Sequence, residues 1–448
     1  MNIRQEPTIR VGILTEKKIE FELYGDYKVV GYTDTFSGIF TAEVKNKTIM
    51  CKGNTSAIEM AGAINFEPDD PYSESFLIHD VVIGIDFHWQ MYEKQRFIHS
   101  LELIRDGDKL IAINKIPLED YLVSVISSEM NAKCSLHSLK ALSVVSRSWL
   151  LAHLEKSKLI KTEKKSSSIY QSENEITKWY DREQHNNFDV CADDHCQRFH
   201  GVTKVTTEIA INAVSQTRGV VLLSDDKICD TRYSKSCGGV TEDFENVWEP
   251  VKLPYLTSVI DYAHPSENFN LDFSNERNSR KWILGNVPSF CNTHDKIMLS
   301  QILVDYDQET TDYFRWKVEY SQADLSSIIK EKSGIDFGDI LDLIPLERGS
   351  SARLIKLKIV GSKKTLIVGK ELEIRRLLSS THLYSSAFVI DKEIGNDKVP
   401  EKFIIHGAGW GHGVGLCQIG SAVMSEKGYQ FDEILLHYFS GAVLKRIY

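Results

Sequence analysis

The 448-residue chain is poor in the features that would classify it quickly. Eight cysteines in a chain this long are too sparse for a disulfide scaffold and read mostly as reduced, buried thiols. Lys and Arg together number 53 against 63 Asp and Glu, a net charge of −10, and no basic arm or stripe stands out. That excludes a nucleic-acid partner on charge grounds. No apolar run reaches membrane-spanning length. Residues Met1 to Lys18 lack the charged n-region and apolar h-region of a secretory signal. The GxxxxGK[ST] phosphate loop, the GxSxG nucleophile elbow and the HExxH zinc helix are missing too.

What is present points to an α+β chain of more than one domain. Residues 8–113 alternate apolar and polar, as in Thr8-Ile9-Arg10-Val11-Gly12-Ile13-Leu14, with a hairpin expected around Asp106-Gly107. From Pro117 the period becomes helical: Leu118, Tyr121, Leu122, Val125, Ile126 and Met130 share one face. A second helix, largely buried, is expected from about Leu136 to Leu154. Residues 155–187 read as a solvated polar excursion, and strands are expected from Thr206 to Leu223. Residues 262–400 mix strands and helices. Two helices close the chain, stopped by Gly428 and Gly441. The expected division is a β-rich accessory domain at 1–100 followed by a mixed α/β domain at 101–448.

Five sites carry possible chemistry. Glu129 follows Ile126, Val125 and Leu122 by three, four and seven residues, so it projects from the apolar helical face. A carboxyl there is either paired, with Arg147 the obvious partner, or held protonated for general-acid work. Arg147 itself interrupts the buried run Val144-Val145-Ser146-Arg147-Ser148-Trp149, and must pair or bind a polar ligand. Cys191, His195 and Cys196 have the C-x3-H-C composition that suits Zn2+, with His200 close behind. A local disulfide or reduced thiols account for them equally well, and Cys291 and His294 look like a stray pair. Tyr233-Ser234-Lys235-Ser236-Cys237-Gly238-Gly239 is a polar turn able to hydrogen-bond a sugar, or an ordinary turn. Finally, His406 to Gly420 packs six glycines and two histidines, His406 and His412, around Trp410. Alone it reads as a buried structural turn; the alternative is the glycine-lined floor of a cleft.

Taken in order, these segments resemble the stage II sporulation protein D / amidase enhancer (SpoIID/LytB) family. The likeness runs from about residue 101 to the end. It rests on Ile116-Pro117-Leu118-Glu119-Asp120-Tyr121-Leu122 through Ser128-Glu129-Met130, Leu139-Lys140-Ala141 through Arg147, Tyr233 through Thr241 with Val247-Trp248, and the glycine motif with Gln418-Ile419-Gly420. Arg348-Gly349-Ser350-Ser351-Ala352-Arg353 is similar to a further family strand motif. Asn131 and Leu142 depart from the family's frequent proline and glutamine without removing a catalytic group.

The resemblance implies a fold with a glycan cleft and lytic transglycosylation of peptidoglycan, cutting MurNAc–GlcNAc bonds of denuded strands. It implies Glu129 as the acid/base, and Arg147, Tyr233 and Lys235 at cleft positions. Trp410 and His412 are expected to bind substrate from the glycine loop. No cofactor is required for this chemistry; the Cys191/His195/Cys196 segment resembles a zinc-binding or cysteine segment of some members. The amidase-enhancer branch implies the alternative, a non-catalytic glycan binder that stimulates a cell-wall amidase. The substrate implies the cell envelope, and processing of recovered wall fragments inside the cell is the alternative that fits the polar N-terminus.

Overall fold

A computed structural model describes residues 5–54, 56–85, 90–131, 133–160, 169–179, 185–205, 207–263, 272–304, 308, 310–396 and 398–448. Parts of the polar excursion, 161–168 and 180–184, therefore lie outside the described residues. The chain is mixed α and β and divides into two compact units. The first comprises 1–133, 184–220 and 446–448; the second comprises 134–183 and 221–445. The division expected at residue 100 falls inside the sheet of the first unit, between the strands Met91–Ile98 and Ser100–Asp106, which follow one another in sequence. Among the described residues no helix is long and apolar enough to cross a membrane.

The first unit is built on an 11-stranded sheet. Thr8–Glu16 pairs antiparallel with Lys109–Pro117, which pairs in turn with Ser100–Asp106 across the Gly107 turn. Lys18–Val29 shows the sidedness written in its sequence, with Ile19, Phe21 and Leu23 buried and Lys18 and Glu20 exposed. Phe21, Phe36, Phe40 and Phe66 meet in its core, the first and third stacked at 5.5 Å. A second aromatic run leads out of the sheet. Phe76 stacks on Phe97 at 5.3 Å, Phe97 on Phe199 at 5.8 Å, and Phe199 on Tyr121 at 5.1 Å. Tyr121 belongs to helix α1, Leu118–Glu129, so this stack packs the helix against the sheet. Helix α1 starts directly after Pro117, which serves as its N-cap, with Glu119 and Asp120 in the first turn.

The expected strands from Thr206 are only half right. Glu208–Gln216 is a helix, and the strand is Val220–Ser224. Ala210, Ala213 and Val214 are its buried stripe, at helical spacing. Ile209 and Ile211, β-branched and apolar, suggest a strand but are exposed.

The second unit begins with helix α2, Leu136–Ile160, longer than expected. Leu139 and every residue from Ala141 to Leu151 are buried. Helices Gln418–Glu426 and Phe431–Tyr438 pack against it. A five-stranded sheet contains Leu354–Gly361 at its centre-right, flanked by Ile340–Arg348 and Thr365–Gly369. A three-stranded sheet places Pro400–Ala408 between Arg315–Ser321 and Phe388–Ile394, and leads into the glycine loop.

That loop wraps a buried cation. Arg353 is 1% exposed, and donates from Nη1 to Cys237 O at 3.1 Å and Ser351 Oγ at 2.9 Å, and from Nε to Gly411 O at 3.2 Å. A Cβ at Gly413, where φ is +79°, would lie 2.4 Å from the guanidinium carbon. Gly413→Ala is therefore expected to cost about 3 kcal/mol or more by urea unfolding, from strain and overpacking together. Gly428→Ala, at φ +92° but facing open space, isolates the strain and is expected to cost about 1–2 kcal/mol.

A second prediction concerns pH. His200 is 1% exposed, and burial pushes its imidazole down to about 3. Between pH 6.5 and 3 the unfolded chain binds the proton and the folded chain does not, so stability is full above 6.5 and falls as pH drops. From pH 7 to pH 5 this one group removes about 2 kcal/mol. His200→Gln, followed by urea unfolding at both values, should shrink the pH difference by that amount.

Candidate functional site

Glu129 is the last residue of α1 and is 7% exposed. Met130 leaves the helix in extended conformation, so the carboxylate sits where the helix ends. The segment 196–200 lies along this helix and grips it through three bonds, two of them at the last turn. The Tyr121 hydroxyl is 3.2 Å from Gln197 Oε1, Arg198 N–H donates to Glu129 Oε1 at 3.1 Å, and His200 N–H donates to Ser128 Oγ at 3.3 Å. The aromatic stack of Phe199 on Tyr121 joins the same two segments. The Arg198 backbone amide thus fixes one oxygen of Glu129.

A second carboxylate lies in electrostatic reach. Burial pushes Asp194 up to about 6 against the opposing pull of Arg198, with Asp193 and Glu129 adding to the rise. Asp194 Oδ1 accepts from Arg198 Nε at 2.7 Å. Arg198 therefore bridges the two acids, by its backbone to Glu129 and by its side chain to Asp194.

The same segment starts from the cysteine–histidine cluster. Cys196 Sγ is 3.4 Å from His185 Nε2 and 3.5 Å from His195 Nδ1, and Cys191 Sγ is 3.8 Å from His195 Nδ1. All four ligand atoms lie within 4.8 Å of one another. Tetrahedral Zn2+ with Zn–S of about 2.3 Å and Zn–N of about 2.0–2.1 Å has edges of about 3.5–3.8 Å, which these separations match. Hydrogen bonding to Cys196 first, then to His185 and His195, holds the Cys191 thiol well below its ordinary range. In this structure all eight cysteines are free thiols, and Cys191 and Cys196 are not joined. The fourth member is His185, not His200, which instead packs on α1. Spacing missed His185 because it belongs to the polar excursion and lies six residues before Cys191; Thr8–Glu16, pairing with Val190–Cys191, helps hold this stretch in place.

The other expected residues belong to the second unit. Arg147 is 0% exposed within α2, and its Nη1 lies 3.5 Å from Ser143 O. Beside it Val145 O accepts from Thr231 Oγ1 at 2.7 Å, and Ser148 Oγ accepts from Leu222 N–H at 3.0 Å. These bonds bring the chain leading to Tyr233 against the helix. Tyr233–Ser234 pairs in parallel with Leu416–Cys417, Ser236 exchanges backbone bonds with Trp410 at 3.1 and 2.8 Å, and Lys235 O accepts from Ile419 N–H at 3.2 Å. The structure therefore brings Tyr233, Lys235, Trp410 and His412 together on two interlocked loops.

Within them, Trp410 has the rings of Tyr313 and Tyr384 against it at 4.5 and 4.2 Å. His412 Nδ1 accepts from Val414 N–H at 3.0 Å, and the Tyr233 backbone also bonds the ring. Burial, with Arg232, Arg353 and Arg375 nearby, keeps His412 unprotonated. Trp248 stands edge-on to His412 at 5.1 Å and under the Arg232 guanidinium at 4.2 Å. Arg232 and Trp248 were not singled out from sequence as site residues, although Trp248 lies within a segment that carried the resemblance.

Comparison with known proteins gives matches over most of the chain. The model described as Stage II sporulation protein matches residues 106–223, and one described as Domain of unknown function (DUF8618) matches 242–415. An uncharacterized protein of Brachyspira hyodysenteriae is 24% identical over 436 residues, 96% of this chain and 90% of its own length. The stage II sporulation protein D of Bacillus amyloliquefaciens is 22% identical over 340 residues, 74% of each chain. The amidase enhancer of Bacillus subtilis is 27% identical over 247 residues, which cover 52% of this chain but 32% of that protein. Together with the ordered motifs around Glu129, Arg147, Tyr233 and the glycine loop, these matches establish that the chain carries a SpoIID/LytB-family domain.

Proposed function

We propose that this protein is a lytic transglycosylase of peptidoglycan glycan strands, with Glu129 as both acid and base. The observation that carries the reading is the single carboxylate at the end of a buried helix, oriented by the Arg198 amide, inside the segment that matches the sporulation family. Its proton passes to the glycosidic oxygen as the MurNAc C1–O bond breaks. The carboxylate then accepts the proton of the muramyl 6-hydroxyl, whose oxygen closes on C1. The products are a new hydroxyl end and a 1,6-anhydro ring, with no water consumed. One carboxylate serves in turn as donor and acceptor, whereas hydrolysis requires two.

The family resemblance assigns Arg147, Tyr233 and Lys235 to glycan contact; of these, Arg147 is fully buried in α2 and acts from within the helix, while Tyr233 and Lys235 are the polar groups of their loop. Trp410 and His412 shape the glycine loop beside them, and the place of action is the cell envelope. Glu129→Gln keeps the shape and removes the exchangeable proton. It is expected to lower the yield of anhydro-ended products from denuded glycan about 1000-fold or more with unchanged melting temperature. Undiminished yield from the folded variant overturns the assignment. The similarity to an amidase enhancer favours one further reading, a non-catalytic stimulator of a wall amidase. There, no anhydro ends form with either form of the protein, and both stimulate the amidase equally.

We further infer that His185, Cys191, His195 and Cys196 hold a structural Zn2+. When bound, the ion supplies a cross-link that fixes residues 185–196, and through Arg198 the position of the Glu129 carboxylate. Structural zinc is worth about 10–16 kcal/mol over four ligands, or about 3 kcal/mol each. His185→Ala is accordingly expected to weaken zinc at this site roughly 100-fold in competition with a chelator. An unchanged affinity removes His185 from the ligand set.

A further inference from the structure

Cys237, Cys291 and Cys417 are separated by up to 180 residues, yet their side chains meet in the core of the second unit. With Asp261 they place four ligand atoms within 4.8 Å of one another. Exposures are 2, 1, 0 and 0% for Cys237, Cys291, Cys417 and Asp261. We propose that these four residues form a second, closed metal centre, a Cys3Asp site for Zn2+.

Distances favour a metal over a cross-linked pair. Cys237 Sγ and Cys291 Sγ are 3.6 Å apart. A disulfide needs about 2.05 Å, while two thiolates on one tetrahedral Zn2+ lie about 3.8 Å apart. The surroundings suit anionic sulfur. Cys417 Sγ accepts from Cys237 N–H at 3.3 Å and Gly420 N–H at 3.4 Å, and Cys237 Sγ accepts from Gly239 N–H at 3.4 Å. Cys417 is also the N-cap of helix Gln418–Glu426, whose positive end favours a thiolate.

Asp261 is oriented as metal-binding carboxylates are. It accepts from Tyr438 O–H at 2.5 Å, Ser289 Oγ at 2.8 Å and Cys291 N–H at 2.9 Å. Next to the cluster lies Arg315, whose guanidinium, among the described residues, donates only to the backbone oxygens of Gly238, Trp282, Gly285 and Phe314. Burial pushes its guanidinium down, and Cys291 and Cys237 oppose that pull. A half-buried arginine without a carboxylate fits beside thiolates, because three thiolates and a carboxylate on one divalent ion leave net negative charge. The ion would join the turn carrying Lys235 to the start of the helix that follows the glycine loop. No open position remains for substrate, so its role is structural.

The test uses the full chain with Cys191→Ser and Cys196→Ser, purified without chelator or a metal-affinity column. Retention of one zinc per chain, with an S3O shell by X-ray absorption, is the expected result. Adding Cys237→Ser should abolish that zinc. If the triple variant fails to fold, the wild-type chain decides by shell composition: a sulfur-rich S3O contribution supports the site, and an S2N2 shell alone overturns it. Absence of zinc also overturns it, whether the intact mass of the Cys191→Ser/Cys196→Ser chain then shows all its remaining thiols reduced or the loss of two hydrogens to a Cys237–Cys291 disulfide.

Discussion

The second unit is organised around one buried guanidinium. Arg353 cannot be hydrated, so its donors must end on protein acceptors. The acceptors within reach are backbone oxygens of the Ser236–Cys237 turn and of Gly411, together with Ser351 Oγ. Meeting them requires two loops to approach the cation edge-on, and any side chain on the inner side of the glycine loop would occupy the space of the guanidinium. Glu242 balances the charge nearby. Burial pushes its carboxyl up, and it accepts from Ser350 N–H, Ser351 N–H and Ser351 Oγ, the residues just before the arginine. Arginine, glutamate and glycines therefore form one dependency, and the loops that present Tyr233, Lys235 and His412 inherit their positions from it.

The first unit positions Glu129 differently. A neighbouring segment grips helix α1 at both ends, through the Tyr121 hydroxyl and an aromatic stack near its start and through two backbone amides at its last turn. That segment has no regular secondary structure, so its own placement needs another anchor. The cysteine–histidine cluster stands at one end of it, and the sheet supports the middle through Phe97 under Phe199. Short-range order around the carboxylate is thus bought with long-range contacts, whose side chains come from strand, helix and loop.

Helical periodicity made the position of Glu129 legible, because a buried helix exposes its face assignment in every third and fourth residue. The glycine motif was legible as a tight turn, and Cys191, His195 and Cys196 as ligand types. Their completion was not. His185 lies in a stretch whose composition resembles solvated loop, and nothing local marks it as a ligand. Cys237, Asp261, Cys291 and Cys417 have no common spacing, since the fold alone brings them together. The helix Glu208–Gln216 was read as strand because Ile209 and Ile211 carry strand propensity, while its burial lies on the small residues Ala210 and Ala213. Tertiary burial overrode propensity there.

The second acid near Glu129 bears on which chemistry the first unit can support. A two-carboxylate glycosidase needs its second group turned toward a water or toward the anomeric carbon. Asp194 is paired through Oδ1 with Arg198 Nε, and its Oδ2 is enclosed without a polar partner among the described atoms. Turning it outward would break the ion pair and leave Arg198, itself 7% exposed, without that partner. Since Arg198 also supplies the amide that orients Glu129, the cost would fall on that carboxylate as well. Asp194 is therefore a positioning group, held in the structure that fixes Glu129. Under the proposed transglycosylase reading, with Asp194 committed in this way, attack by the sugar's own 6-hydroxyl is the step that one oriented acid can complete.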